Sequence, residues 1–133
     1  MSKIEWTDEF CIDHGQIDEQ HKKWIALYNK AHDQMMSYAG KEIMKIGQQA
    51  LKEMIDYGKY HFSFEEEYME TIQFPGRADH ARLHDTFARK LDHILVQMQN
   101  GEPMLNSEII KIIENWLVDH ILNDDQKIKQ YIK

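Results

Sequence analysis

The residues of this chain that could do chemistry are its histidines, eight in 133 positions, and their spacing says more than their number. His61 and Glu65 stand four apart, as do His80 and His84, so each pair lies on one helix face about one turn apart. His120 and Asp125 stand five apart, and at ~100° per residue that step carries the aspartate well off the histidine's face. This last pair can converge only if the helix ends or tightens near Asn123. With His21, the set comprises five imidazoles and two carboxylates, nitrogen and oxygen donors suited to a metal such as iron.

The elements that must position these groups are visible as apolar seams. One runs Ile17, His21, Trp24, Tyr28, Ala31, Met35, and a second Ala50, Met54, Tyr57, His61, Phe64, Tyr68. A third runs His80, His84, Phe87, Leu91, Ile94, Met98, and a fourth Ile109, Ile113, Trp116, His120. Steps of three and four residues mark one helix face each. The spacing predicts helices near 18 to 38, 41 to 71, 77 to 99 and 107 to 122. Breaks at Ala39-Gly40, Pro75-Gly76 and Gly101 to Pro103 separate them. The expected fold class is all-α, an up-down-up-down antiparallel four-helix bundle. Ser107 or Asn106 is expected to cap the fourth helix, and a short terminal helix follows to about Tyr131. The first sixteen residues, with Trp6 and Phe10, form an arm packed across the bundle.

Composition narrows the partners. A chain of 133 residues suits one domain spanning 1–133, with roughly two-thirds of its unfolded surface buried on folding. Its 42% apolar and 29% charged residues are those of a globular protein. The net charge of −7 disfavours nucleic acid and anionic membrane as partners. No stretch approaches the roughly 18 apolar residues that mark a membrane span, and the N-terminus lacks an apolar signal region, so a cytoplasmic location is expected. The chain is also expected to be a monomer. The single cysteine, Cys11, offers neither an intrachain disulfide nor a thiolate site.

The seams put His21, His61, His80, His84 and His120 toward the core, where each buried imidazole and carboxylate needs a partner. A metal centre removes that conflict. Five nitrogens, with two oxygens each from a bridging Glu65 and Asp125, make nine donors. One solvent-derived bridge fills two more of the roughly twelve positions around two six-coordinate ions, leaving one open for a small ligand such as dioxygen. Other metal chemistries fit less well. Ferritin-like di-iron proteins use ExxH motifs, and none of the twelve glutamates has a histidine three residues on. A zinc peptidase of the HExxH type needs a glutamate where this chain has Ala81. Neutral imidazoles with only two carboxylates favour reversible ligand binding over oxygen activation.

Taken together, Ile17-Asp18-Glu19-Gln20-His21, the HxxxE at 61 to 65, the HxxxH at 80 to 84 and the HxxxxD at 120 to 125 make the chain resemble the hemerythrins, most closely the single-domain bacterial members. The resemblance covers nearly the whole chain. It implies two iron ions bridged by hydroxide or oxide and by Glu65 and Asp125. His80, His84 and His120 would hold the saturated iron, and His21 and His61 the iron with the open position. It further implies that dioxygen binds the reduced irons, takes two electrons and is held as hydroperoxide.

The expected oxygen pocket is apolar and built from Phe62, Leu117, Trp24, Trp116 and Ile121. His14, His32 and His93 fall outside the ligand set. The function expected is reversible dioxygen binding, without enzymatic turnover, for transport, storage or delivery to an oxygen-consuming enzyme. Oxygen or redox sensing through a separate partner, and peroxide or nitric-oxide handling at the same centre, are the alternatives.

Overall fold

The computed structural model describes residues 3–37, 42–101 and 106–132. It contains α1 (Gly15–Ser37), α2 (Glu42–Thr71), α3 (Arg77–Gln99), α4 (Asn106–Asp119) and the short α5 (Gln126–Lys129). A 3-10 turn, Asp8–Phe10, precedes α1, and a π-helical turn, His120–Asp124, joins α4 to α5. There is no strand among the described residues. The breaks expected at Ala39-Gly40 and Pro103, and the capping side chain of Asn106, lie outside the described residues. No helix among the described residues is long and apolar enough to cross a membrane.

Side-chain pairs give the directions of the helices. Gln20 reaches His61 while Lys30 reaches Glu53, so α1 and α2 are antiparallel. Glu65 reaches His80 while Lys59 reaches Asp92, which sets α3 antiparallel to α2. His21 meets Asp125 while Tyr28 bonds Glu114, which does the same for α1 and α4. The backbones of α1 and α2, α2 and α3, and α1 and α4 run close together. Large side chains span the gap between α3 and α4, where Phe87 stacks on Trp116 with ring centres 3.9 Å apart.

The seams of α1 and α3 are buried as the period predicts, from Ile17 to Met35 and from His80 to Met98. The seam of α2 is shifted. Its buried stripe runs Ala50, Leu51, Met54, Ile55, Gly58, His61, Phe62, Glu65 and Met69, while Tyr57, Phe64 and Tyr68 are only half-buried. The reason is tertiary: α2 packs on both α1 and α3, and its aromatic shoulder is covered from outside. His14 stands edge-on to Phe64 and Tyr68, and Lys23 lies over Tyr57. Gly58 leaves room for the Trp24 ring, which would come within 2.9 Å of a Cβ there.

The first helix begins at Gly15, three residues before the predicted start, because His14 caps it. The amide of Ile17 donates to His14 Nδ1 and that of Asp18 to the His14 carbonyl. The arm is fastened by side chains: both backbone groups of Ile4 bond Asn29, and the amide of Ile12 bonds Asp18.

The end of α2 shapes the near end of the bundle. Gln73 has φ 57°, the amide of Phe74 donates to Met69 and that of Gln73 to Glu70. This is the paired hydrogen-bond pattern that closes helices on a left-handed residue, with Phe74 and Met69 packed together. Pro75 then stops continuation of the helix. Phe74, Met69 and Ile128 form a small apolar cluster, separate from the main core that fills the rest of the bundle.

Candidate metal centre

Between the two apolar clusters lies a layer of buried polar groups: His21, His61, Glu65, His84, His120 and Asp125 are at most 1% exposed, and His80 only 4%. Helix spacing delivers most of them. His61 and Glu65 face inward one turn apart on α2, and His80 and His84 one turn apart on α3.

Asp125 arrives by a route that corrects the sequence-based expectation. The helix neither ends nor tightens near Asn123; it widens. The amide of Asp125 donates to the His120 carbonyl at 2.9 Å, a five-residue step. Such a π turn brings residues five apart onto one face, which a regular helix cannot do. The same widening lets one histidine meet two acids, Asp124 at its Nδ1 (3.0 Å) and Asp125 at its Nε2 (3.2 Å).

The donor atoms form two overlapping groups, each with all its atoms within 4.8 Å of one another: Glu65, His80, His84, His120 and Asp125, and His21, His61, Glu65 and Asp125. Glu65 and Asp125 belong to both. Within the first, His84 Nε2 and His120 Nε2 are 3.0 Å apart, and His80 Nε2 lies 2.8 Å from Glu65 and 2.9 Å from Asp125. In the second, His21 Nε2 and His61 Nε2 are 3.0 Å apart, and His21 Nε2 is 3.1 Å from Asp125.

These spacings fit metal ions. Donors at right angles around an ion, with bonds of roughly 2.1 Å, lie about 3.0 Å from one another. The hydrogen bonding fits as well, since Glu65 Oε2 and both oxygens of Asp125 are buried and accept no hydrogen bond. Buried anionic oxygens in that condition require a cation.

The electrostatics point the same way. Burial alone would lower the histidines, but Asp125 and Glu65 prevail and push His21 and His80 up to about 9. At His120, burial is overcome by Asp125 together with Asp124, and the value rises to about 10. At His61 burial prevails, and the ring is held below its ordinary value. Burial opposes ionisation of Glu65 too, but the surrounding histidines hold it well below the carboxylate range. Asp125 is likewise held down by His120 and His21, against burial and the charge of Glu65. The site draws positive charge, which metal ions supply more compactly than protons.

Around the donors stand partners that the sequence reading missed. His61 Nδ1 donates to Gln20 at 2.8 Å, His84 Nδ1 to Glu66 at 2.9 Å, and His120 Nδ1 to Asp124. A carboxylate only accepts, so Nδ1 of His84 and His120 carries a hydrogen, which leaves Nε2 as the nitrogen that would offer its lone pair to a metal. The four-residue step from His120 to Asp124 was a local signal for one of these pairs. The others cross between helices and had none.

The anticipated pocket residues lie on the side of the large core. Phe62 stacks on His84 at 3.9 Å, Trp116 on His120 at 4.3 Å, and Trp24 lies 5.5 Å from His61. Leu117 and Ile121 are fully buried in the same cluster, while Trp116 is half-buried. Phe87, stacked on Trp116, belongs with them although the sequence reading gave it no pocket role. His93 is exposed, His32 lies 3.6 Å from Asp33, and His14 serves as the α1 cap.

Comparison with known proteins agrees with this geometry. The family model described as the hemerythrin HHE cation-binding domain matches residues 14–132. A bacteriohemerythrin of Stenotrophomonas maltophilia is 31% identical over 133 residues, covering 100% of this chain and 84% of that protein. A hemerythrin-like protein of Naegleria gruberi is 34% identical over 128 residues, covering 96% of this chain and 92% of the relative. The crystal structure of a wild-type hemerythrin superposes with a TM-score of 0.88 at 28% identity, covering 97% of both chains.

Proposed function

Since this chain belongs to the hemerythrin family, with a buried histidine and carboxylate cluster able to bind metal, we propose that it holds two iron ions and binds dioxygen reversibly. The observation that carries the reading is the unequal pair of donor groups sharing Glu65 and Asp125, five donors in one and four in the other. His80, His84 and His120 would hold one iron and His21 and His61 the other, with Glu65 and Asp125 common to both donor groups. The group that is one histidine short has room for a small ligand. When bound, the two irons supply the two electrons with which dioxygen is held.

The protein's own residues make that binding reversible. Phe62, Trp24, Trp116, Leu117 and Ile121 line the large-core side of the centre with apolar surface, which keeps water from solvating a departing anion. Only two carboxylates face the ions, and the remaining ligands are neutral imidazoles. This set stabilises highly oxidised metal less than an all-carboxylate shell, so binding rather than turnover follows. We place the protein in oxygen transport, storage or delivery to an oxygen-consuming enzyme.

Metal analysis with an optical spectrum of the anaerobically reduced protein, before and after air, tests the proposal. The expected result is two irons per chain and a visible charge-transfer band that comes with oxygen and goes on its removal. One zinc, or immediate irreversible oxidation, would overturn it.

A further inference from the structure

The two donor groups differ in what stands behind their imidazoles. Behind the five-donor group are two carboxylates, Glu66 on His84 Nδ1 at 2.9 Å and Asp124 on His120 Nδ1 at 3.0 Å. Behind the four-donor group stands one neutral amide, Gln20 on His61 Nδ1 at 2.8 Å, and His21 Nδ1 has no hydrogen-bond partner. The carboxylates are also the accessible ones: their side chains are 29% and 25% exposed, whereas Gln20 is buried at 8%.

A carboxylate accepting the outer hydrogen of a ligating imidazole fixes the ring's orientation and makes its inner nitrogen a stronger donor. Losing such a partner commonly costs about 10- to 100-fold in metal affinity. An amide fixes orientation but adds no charge, and an unpartnered imidazole gains neither. The partial exposure of Glu66 and Asp124 puts two negative charges between solvent and the five-donor group, where an incoming hydrated cation meets them first.

We propose that Glu66 and Asp124 are positioning residues that impose an order on metal loading: the His80, His84 and His120 side fills first and empties last, and the His21 and His61 side fills second and empties first. The inference rests on the two-metal reading above and assigns a regulation of loading to residues that touch no metal. The five-donor group would lead on donor number alone, so the claim specific to Glu66 and Asp124 is that they set most of the gap.

The test uses the full chain loaded with Co(II) under anaerobic conditions and challenged with excess EDTA, with metal release followed by visible absorption. The unmodified chain should release two ions in two phases. Glu66→Gln keeps an acceptor for His84 but removes the charge, and Asp124→Asn does the same at His120. Each should speed the slow phase about 10- to 100-fold and leave the fast phase unchanged. Gln20→Glu, which adds the missing charge behind His61, should slow the fast phase alone and so identify it. Circular dichroism of each metal-free variant checks that the helices persist.

Equal acceleration of both phases, or no change in either while two ions still bind, would overturn the proposal. Binding of one ion only would overturn the two-metal reading itself, and the ordering with it. If Asp124→Asn loses its helices, Glu66→Gln and Gln20→Glu decide the matter alone.

Discussion

The interior of this bundle has two halves built on one plan and filled with opposite chemistry. In the far half, the inward positions hold Met35, Leu51, Met54, Leu91, Met98, Ile109 and Ile113. In the near half, the same seams on the same helices carry His21, His61, His80, His84 and His120, and beyond them stands the small cluster of Met69, Phe74 and Ile128. The far half is held by apolar burial, which is non-directional and tolerates a change of shape at moderate cost. The near half is held by paired charges and oriented lone pairs, and omission of a single partner leaves a buried group unsatisfied. One scaffold therefore joins a stability module to a functional one, and the two should respond differently to the same insult.

The largest expected difference comes from metal. Even one ion at about 1,000-fold above its dissociation constant stabilises a folded chain by about 4 kcal/mol. At about 3–4 °C per kcal/mol for a domain of this size, stripping the metal should lower Tm by at least roughly 12–16 °C in calorimetry. A metal-independent Tm would mean that the far half alone sets stability.

Truncation of core leucines comes next and separates the halves. Leu51→Ala and Leu117→Ala should each cost about 3 kcal/mol in denaturant unfolding, since both are fully buried. Only Leu117→Ala, in the half that faces the centre, should speed autoxidation of the oxygen-loaded protein. An unchanged rate would remove Leu117 from the pocket.

The third contrast is in pH. In the metal-free chain, His21 and His80 sit at about 9 and His120 at about 10, against an ordinary 6.5. Raised histidines add stability below pH 6.5 and lose it as pH climbs through 9 to 10. Glu65 and Asp125, held low, add stability above their ordinary 4.5 and 3.8 and lose it as pH falls through their depressed values. The metal-free Tm should thus be highest between pH 5 and 6.5 and fall by several degrees toward pH 9. With metal present the trend should reverse above pH 6.5, because the ions displace those protons and bind better as pH rises.

A smaller effect probes the seam between the halves. A Cβ on Gly58 would sit 2.9 Å from the Trp24 ring, which in turn lies against His61. Gly58→Ala gains about 1 kcal/mol of helix propensity but overpacks the core by ~1–3 kcal/mol, for a net loss of about 1 kcal/mol. Tryptophan fluorescence should shift with it. Smallest of all, Gln73→Gly relieves a left-handed residue at φ 57° and should raise stability by roughly 0.5–1 kcal/mol without touching the metal.

What the sequence determined by itself is whatever depends on local period. The four helices, the inward seams of α1 and α3, and the gathering of five histidines with Glu65 on inward faces follow from a 3.6-residue repeat. The tertiary structure decided the rest. The buried stripe of α2 moved off Tyr57, Phe64 and Tyr68 because α2 has neighbours on two sides and a covered aromatic shoulder. Gln20 and Glu66 became partners of histidines on other helices, a relation that no spacing along the chain encodes. Asp125 reached the centre because the backbone after His120 widened by one residue, and no residue pattern in His120-Ile121-Leu122-Asn123-Asp124 announces a π turn. Its physical reason is global: one altered hydrogen-bond register costs less than leaving a buried ring of histidines without its second shared carboxylate.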